Sequence, residues 1–272
     1  MILRKVTIGI IFSLCVVIAV FASSAIAGND GSDLVVTYGE TTYNNPEYMD
    51  SVNDYFASKG YSNLENAKVE IIDVGQVNAI SQGISGKTYD ANQIFSSALL
   101  DLNNGNKLTV TVDSSEVNLV TARMYASALE SSGINKGSVF VTSPVSATGE
   151  SALAGIMACY EKATNVTIPD DVKQAANDEI YTQSEIVQNN NVSADNVSQV
   201  VDDVKNNITD LNVTSYDDVL NIVNETVHKY GMNISNDDIE KLADAIFKTF
   251  SVQDQANNYK TELDKVASNI AQ

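Results

Sequence analysis

Three stretches of this 272-residue chain carry residue types whose spacing suits chemistry. Ser81 to Thr88 reads Ser-Gln-Gly-Ile-Ser-Gly-Lys-Thr, a phosphate-binding loop except that Ser81 stands where the first glycine belongs. In such a loop the glycines let backbone N–H groups wrap a phosphate that the lysine reaches. An ordinary glycine-containing connection is the plainer reading. Gly149-Glu150-Ser151-Ala152-Leu153 is similar to the turn that presents a nucleophilic serine, without its last glycine. His228, the only histidine, lies far along the chain, and a Ser-His-Asp device needs it within hydrogen-bond reach. The plainer place for it is a partly exposed helix face.

The third stretch is Ser143-Pro144-Val145-Ser146-Ala147-Thr148-Gly149, between a predicted strand and a predicted helix. Hydroxyls and free N–H groups gathered at a helix N-terminus beyond a strand end suit an anion or small polar ligand, so Ser143, Ser146, Thr148 and Gly149 are the candidate binding residues. A capped loop that binds nothing is the alternative. The acid pairs Asp170-Asp171, Asp202-Asp203, Asp217-Asp218 and Asp237-Asp238 suggest calcium or paired carboxylates, but adjacent acids on a helix diverge, and capping is the simpler role. With one histidine and, after the leader, one cysteine (Cys159), a zinc site lacks ligands, so no metal and no cofactor are expected. Cys159 reads as a small core residue.

The elements that must position these residues divide the chain in two. Strands are predicted over Leu34 to Tyr38, Ala67 to Val74, Leu108 to Val112 and Ser138 to Thr142, the third of them near an edge. Helices are predicted over Pro46 to Lys59, Asp90 to Leu102, Glu116 to Ser132 and Gly149 to Thr164. That alternation gives an α/β fold, a four-stranded mostly parallel sheet with flanking helices over residues 28–164, with α+β as the alternative. In the last of these helices a stripe of Ala152, Gly155, Cys159 and Ala163 beside Leu153, Ile156, Met157 and Tyr160 implies burial on both faces. Residues 165–272 show only helical patterns and are expected to cover that helix. Asn191-Val192-Ser193, Asn212-Val213-Thr214 and Asn233-Ile234-Ser235 recur at twenty-one-residue spacing, each opening an apolar stripe, with Ser193, Ser215 and Ser235 placed as N-caps.

The address is read from the start of the chain. Arg4 and Lys5, the apolar run Val6 to Phe21 and Ala25-Ile26-Ala27 make residues 1–27 a secretory signal, the run being about sixteen residues where a span needs roughly twenty. A retained N-terminal anchor is the alternative. The expected location is therefore secreted or cell-surface, with no membrane span after cleavage. Net charge is −19, from 35 acids against 16 Lys and Arg, and no basic stripe exists to neutralise phosphates, so nucleic acid is excluded as a partner. Seven Asn-x-Ser/Thr acceptor sites, Asn165, Asn191, Asn196, Asn207, Asn212, Asn224 and Asn233, all lie in the later half and are candidates for glycosylation.

Several clusters carry a resemblance: Asn118-Leu119-Val120-Thr121, Met124-Tyr125-Ala126, Gly133-Ile134, Ser143 to Gly149, Gly155-Ile156-Met157, Tyr160-Glu161 and Ala175-Ala176-Asn177. Together they resemble the YpuA-like family, secreted proteins of unknown function found mainly in Gram-positive bacteria, most densely over residues 94–186. Here Val145 follows Pro144, where the family usually has an aromatic residue. The resemblance implies an exported domain and supplies no catalytic residue. The expected function is a non-catalytic envelope or extracellular binding or structural module, its partner a cell-surface polymer or envelope protein. The alternative is a secreted hydrolase using carboxylates or a serine.

Overall fold

Alternating and continuous apolar runs build a mixed sheet. The computed structural model describes residues 34–84, 86–103 and 107–270; the expected leader, residues 1–27, lies outside them. Five strands, β1 (Leu34–Gly39), β2 (Lys68–Ile72), β3 (Ser97–Asp101), β4 (Leu108–Val112) and β5 (Gly137–Thr142), lie in the order β2-β1-β3-β5-β4. β1 pairs β2, and β5 pairs β4, in parallel; central β3 runs antiparallel to both its neighbours. The sheet therefore has five strands rather than four, and it is half antiparallel.

The fifth strand is what the expected helix Asp90 to Leu102 becomes. Asp90 does open a helical turn, its capping box closed by Gln93, but the turn ends after Ala91–Gln93. Every residue from Ser97 to Asp101 is then buried. A strand covered on both faces loses its alternation, and a short run of that kind cannot be told from a buried helix by period. The missing helix lies earlier, where a loop was expected.

In chain order the helices are α1 (Glu40–Tyr43), α2 (Pro46–Ser58), α3 (Val74–Ile84), α4 (Ala122–Ser131) and α5 (Ala152–Thr164), then α6 (Asp170–Asn190), α7 (Ala194–Leu211), α8 (Tyr216–Lys229), α9 (Asn236–Ser251) and α10 (Gln253–Ile270). Val52 and Phe56 of α2 cover one sheet face at Val36, Tyr38 and Leu99. α4 and α5 cover the other at Val35, Ala98, Leu100, Val139 and Val141. α5 comes close to the sheet because its small stripe faces it: a Cβ on Gly155 would lie 2.9 Å from the Thr37 Oγ1, and the Cys159 thiol sits 3.6 Å from that oxygen. Its other face meets the later helices, so Leu153, Ile156 and Tyr160 join Val172 and Ile180 of α6 and the α7 valines in one continuous core.

The recurring Asn-x-Ser motifs are helix joints. Asn191 and Asn212 end α6 and α7 at φ 51°, the left-handed region that asparagine tolerates, and Asn165 ends α5 at φ 55°. Ser215 and Ser235 then accept hydrogen bonds from the Asp218 and Asp238 N–H groups, while Ser193 occupies the same position without a side-chain bond. Three of the acid pairs fall in first turns, where they face the positive helix end. The fourth ties helices together: Asp202 meets Arg123 of α4 at 3.1 Å, and Asp203 meets Lys229 of α8 at 3.2 Å.

Candidate binding site

α3 stands as a wall beside α5 and α6, held by polar clamps at both ends. At its start the Asp73 carboxylate accepts from the Gln76 N–H (2.8 Å) while the Gln76 side chain accepts from the Asp73 N–H (2.9 Å), and Glu40 accepts from the Val74 N–H at 3.1 Å. Its apolar underside is small, Val77 packing with Ile72 and Ile94. Beyond its other end the chain folds back: Asn78 and Tyr89 exchange two hydrogen bonds of 2.9 and 2.7 Å, and the Ser81 hydroxyl donates to the Lys87 carbonyl at 2.8 Å.

Between α3, α5 and α6 lies a half-open cleft of about 450 Å³. Its floor is apolar, from Ile72, Ile80, Ala154, Met157 and Ala158, and among the described residues no aromatic ring lines it. Ala154 and Ala158 stand one helical turn apart, and their small side chains leave the volume open. The rim carries the amides of Gln76 and Gln174 and the ammonium of Lys173, which bridges Glu161 (3.2 Å) and Asp170 (3.1 Å). Lys173 and its two acids satisfy each other, leaving the amides as the rim's neutral hydrogen-bonding groups.

The α3 return loop is anchored at the start of α5. Glu150 is 2% exposed, and it receives the Thr148 hydroxyl and, at 3.6 Å, the ammonium of Lys87. Tyr89 and Tyr181 of α6 meet hydroxyl to hydroxyl at 3.2 Å, and the Tyr125 hydroxyl donates to the Gly149 carbonyl at 2.5 Å. Burial raises the pKa of all three phenols, and the negative charge of Glu150 pushes the same way; Tyr181 reaches about 12. The phenols therefore stay neutral: Tyr125 donates to the Gly149 carbonyl, and one of Tyr89 and Tyr181 donates to the other.

Sequence-predicted residues are placed as follows. Ser81 to Ile84 form the last turn of α3, whose free backbone groups are carbonyls, so the phosphate-loop geometry is absent and Lys87 pairs with Glu150 instead. Ser143 is buried, Ser146 is exposed and accepts from the Asn118 amide at 2.8 Å, Thr148 is committed to Glu150, and Gly149 turns the chain at φ 102°. None of these four lines the cleft. Ser151 has ordinary helical dihedrals (φ −64°, ψ −20°), unlike a strained nucleophile turn, and exposed His228 belongs to α8, which packs on α7 and α9. Cys159 is fully buried, its thiol pushed up to about 12. All seven acceptor asparagines are exposed. Sequence reasoning missed the α3 wall, although Asp73 and Gln76 stand at capping-box spacing.

The pattern of the family described as "Protein of unknown function (DUF1002)" matches residues 38–266. A curated relative, "Uncharacterized protein YpuA" of Bacillus subtilis (strain 168), is 29% identical over 199 residues, covering 65% of this chain and 68% of that protein. No solved structure matches. The matched span takes in β2 to β5 with the end of β1, the α3 wall, the cleft and nearly all of the helical region, and the chain belongs to the DUF1002 family of proteins of unknown function.

Proposed function

We propose that this protein is an exported, non-catalytic binding module, and that the cleft between α3, α5 and α6 takes an aliphatic peptide segment of another envelope protein. The carrying observation is the cleft's makeup, an alanine-widened apolar floor under an amide rim. Aliphatic side chains would fill the floor while Gln76 and Gln174 meet the peptide backbone. Among the described residues a sugar ring would find no aromatic face in the cleft to stack on. Export is supported by the basic, apolar and Ala-x-Ala pattern of residues 1–27, and no helix among the described residues is long and apolar enough to cross a membrane. The hydrolase reading gains nothing from a helical Ser151, a protonated Cys159 and a His228 on α8.

Two measurements test this. Fractionation of the source cells, with N-terminal sequencing, should find the protein outside the cytoplasm and starting near Gly28; a full-length protein confined to lysate would overturn the location. Amide-resolved NMR of that protein against an extended Leu/Val/Ala peptide series should move signals of Gln76, Ala154 and Gln174 together, and Ala154→Trp should abolish the shifts by filling the cleft. Unmoved signals at millimolar peptide, or movement only with cell-wall glycan, would sink the peptide reading.

A further inference from the structure

Strand β2 closes one side of the sheet, bonded to β1 on its inner side with no described strand beyond it. Among the described residues four large apolar side chains are exposed, and two of them, Val69 (45%) and Ile71 (38%), sit on this short strand. A third, Tyr43, extends the patch: its ring lies 6.3 Å from that of Tyr38, the register partner of Ile71. Soluble proteins blunt free strand edges or use them, because unpaired backbone groups beside apolar side chains invite another strand.

We propose that β2 pairs antiparallel with β2 of a second copy of this chain, joining two five-stranded sheets into one across a two-fold axis. The strand's own sequence selects this occupant and its register. Residues opposite each other in an antiparallel pair share a face. With Val69 opposite the second copy's Val69, Lys68 lies opposite Glu70 in both directions, giving two cross-strand ion pairs. On the other face Val69 meets Val69 and Ile71 meets Ala67, wholly apolar. Sliding by two residues either way, the nearest registers that keep each face together, sets Glu70 against Glu70 or Lys68 against Lys68, like charges directly opposed. Glu70 already holds Lys162 at 3.0 Å with a third of its side chain still exposed (34%), which leaves room for a second cation. An isologous contact of this kind is self-complementary by construction.

The test is sedimentation velocity of the isolated protein, followed by charge reversal. Wild type should run as a dimer whose dissociation rises with salt. Lys68→Glu and Glu70→Lys should each weaken the dimer at least tenfold, and the combined swap should bring it back to well above either single variant, since the cross-strand pairing is reversed, although Lys162 loses its bond to Glu70. Circular dichroism melts show that each variant is folded. Val69→Cys should give a disulfide-linked dimer with copper phenanthroline, because opposed Cβ atoms lie about 5 Å apart; buried Cys159 in the wild type controls for other coupling. A monomer at all concentrations, single reversals without effect, or no rescue by the double swap would overturn the proposal. Its failure leaves the cleft reading untouched, because no β2 residue but Ile72 lines the cleft.

Discussion

Lys87 and Glu150 lie 3.6 Å apart, and the two differ sharply in exposure: the carboxylate is 2% exposed, the lysine side chain 42%. The pair fastens the return loop of α3 to the first turn of α5. Removing the cation leaves a buried carboxylate with the Thr148 hydroxyl as its remaining side-chain partner. Lys87→Met should cost about 1–2 kcal/mol in urea unfolding, below the range for a fully buried pair because water screens the exposed lysine. Lys87→Met with Glu150→Gln should recover most of that loss. Equal destabilisation by the single and double variants would show that the charge pair is not what holds the loop.

Glu179 and Lys205 form the more deeply buried pair. Glu179 is 0% exposed, and Lys205 meets it at 2.6 Å while also donating to the Ser127 and Ser131 hydroxyls at 2.9 and 2.7 Å. This one ammonium joins α4, α6 and α7. Lys205→Met should cost about 3–5 kcal/mol, because the carboxylate stays buried without its cation. Replacing both residues together, Glu179→Met with Lys205→Met, should cost far less. Guanidinium unfolding midpoints of the three variants measure the difference.

Legibility in the sequence followed how much each element depends on local signals. β1, β2, β4, β5 and α2 carry their own period and lie within a few residues of the predicted ranges, and the region after Thr164 is helical as its patterns predict. β3 failed because a central strand buried on both faces has no alternation to display. α3 failed for the opposite reason, its capping box lying in a Gly- and Ser-containing stretch that reads as loop. The cleft was illegible because Gln76, Ala154 and Gln174 come from three segments that only folding brings together. Lys87 and Glu150 each lay in a stretch singled out for chemistry, but the reason they meet is the sharp return after α3, which no spacing in the sequence announces.

Alkaline pH should unfold the protein early. Burial raises the Cys159 thiol from 9.0 to about 12, and Tyr38, Tyr55 and Tyr181 from 10.0 to about 12. The folded state holds these protons more tightly than the unfolded chain, so stability is full below about pH 9 and is lost as pH rises towards 12. Urea midpoints should fall steadily from pH 9 to 11. Cys159→Ala should lessen the fall between pH 9 and 10, where the unfolded thiol already ionises and unfolded tyrosines mostly do not. A midpoint constant over this range would contradict the burial.

Asn212 separates a backbone role from a modification role. It ends α7 at φ 51°, and its N–H groups with the Ile208 and Thr209 carbonyls, while the same residue opens an Asn-x-Thr acceptor site. Alanine resists the left-handed region by roughly 1–2 kcal/mol, whereas glycine enters it freely. Asn212→Ala should therefore destabilise the protein by about 1 kcal/mol, and Asn212→Gly should leave it within a few tenths, both removing the acceptor. Thr214→Val should remove the acceptor with the cap intact. If thermal melts of source-purified protein rank Asn212→Gly and Thr214→Val with wild type, the asparagine serves the helix end. If both fall with Asn212→Ala and lose the mass of a glycan, an attached sugar carries the stability.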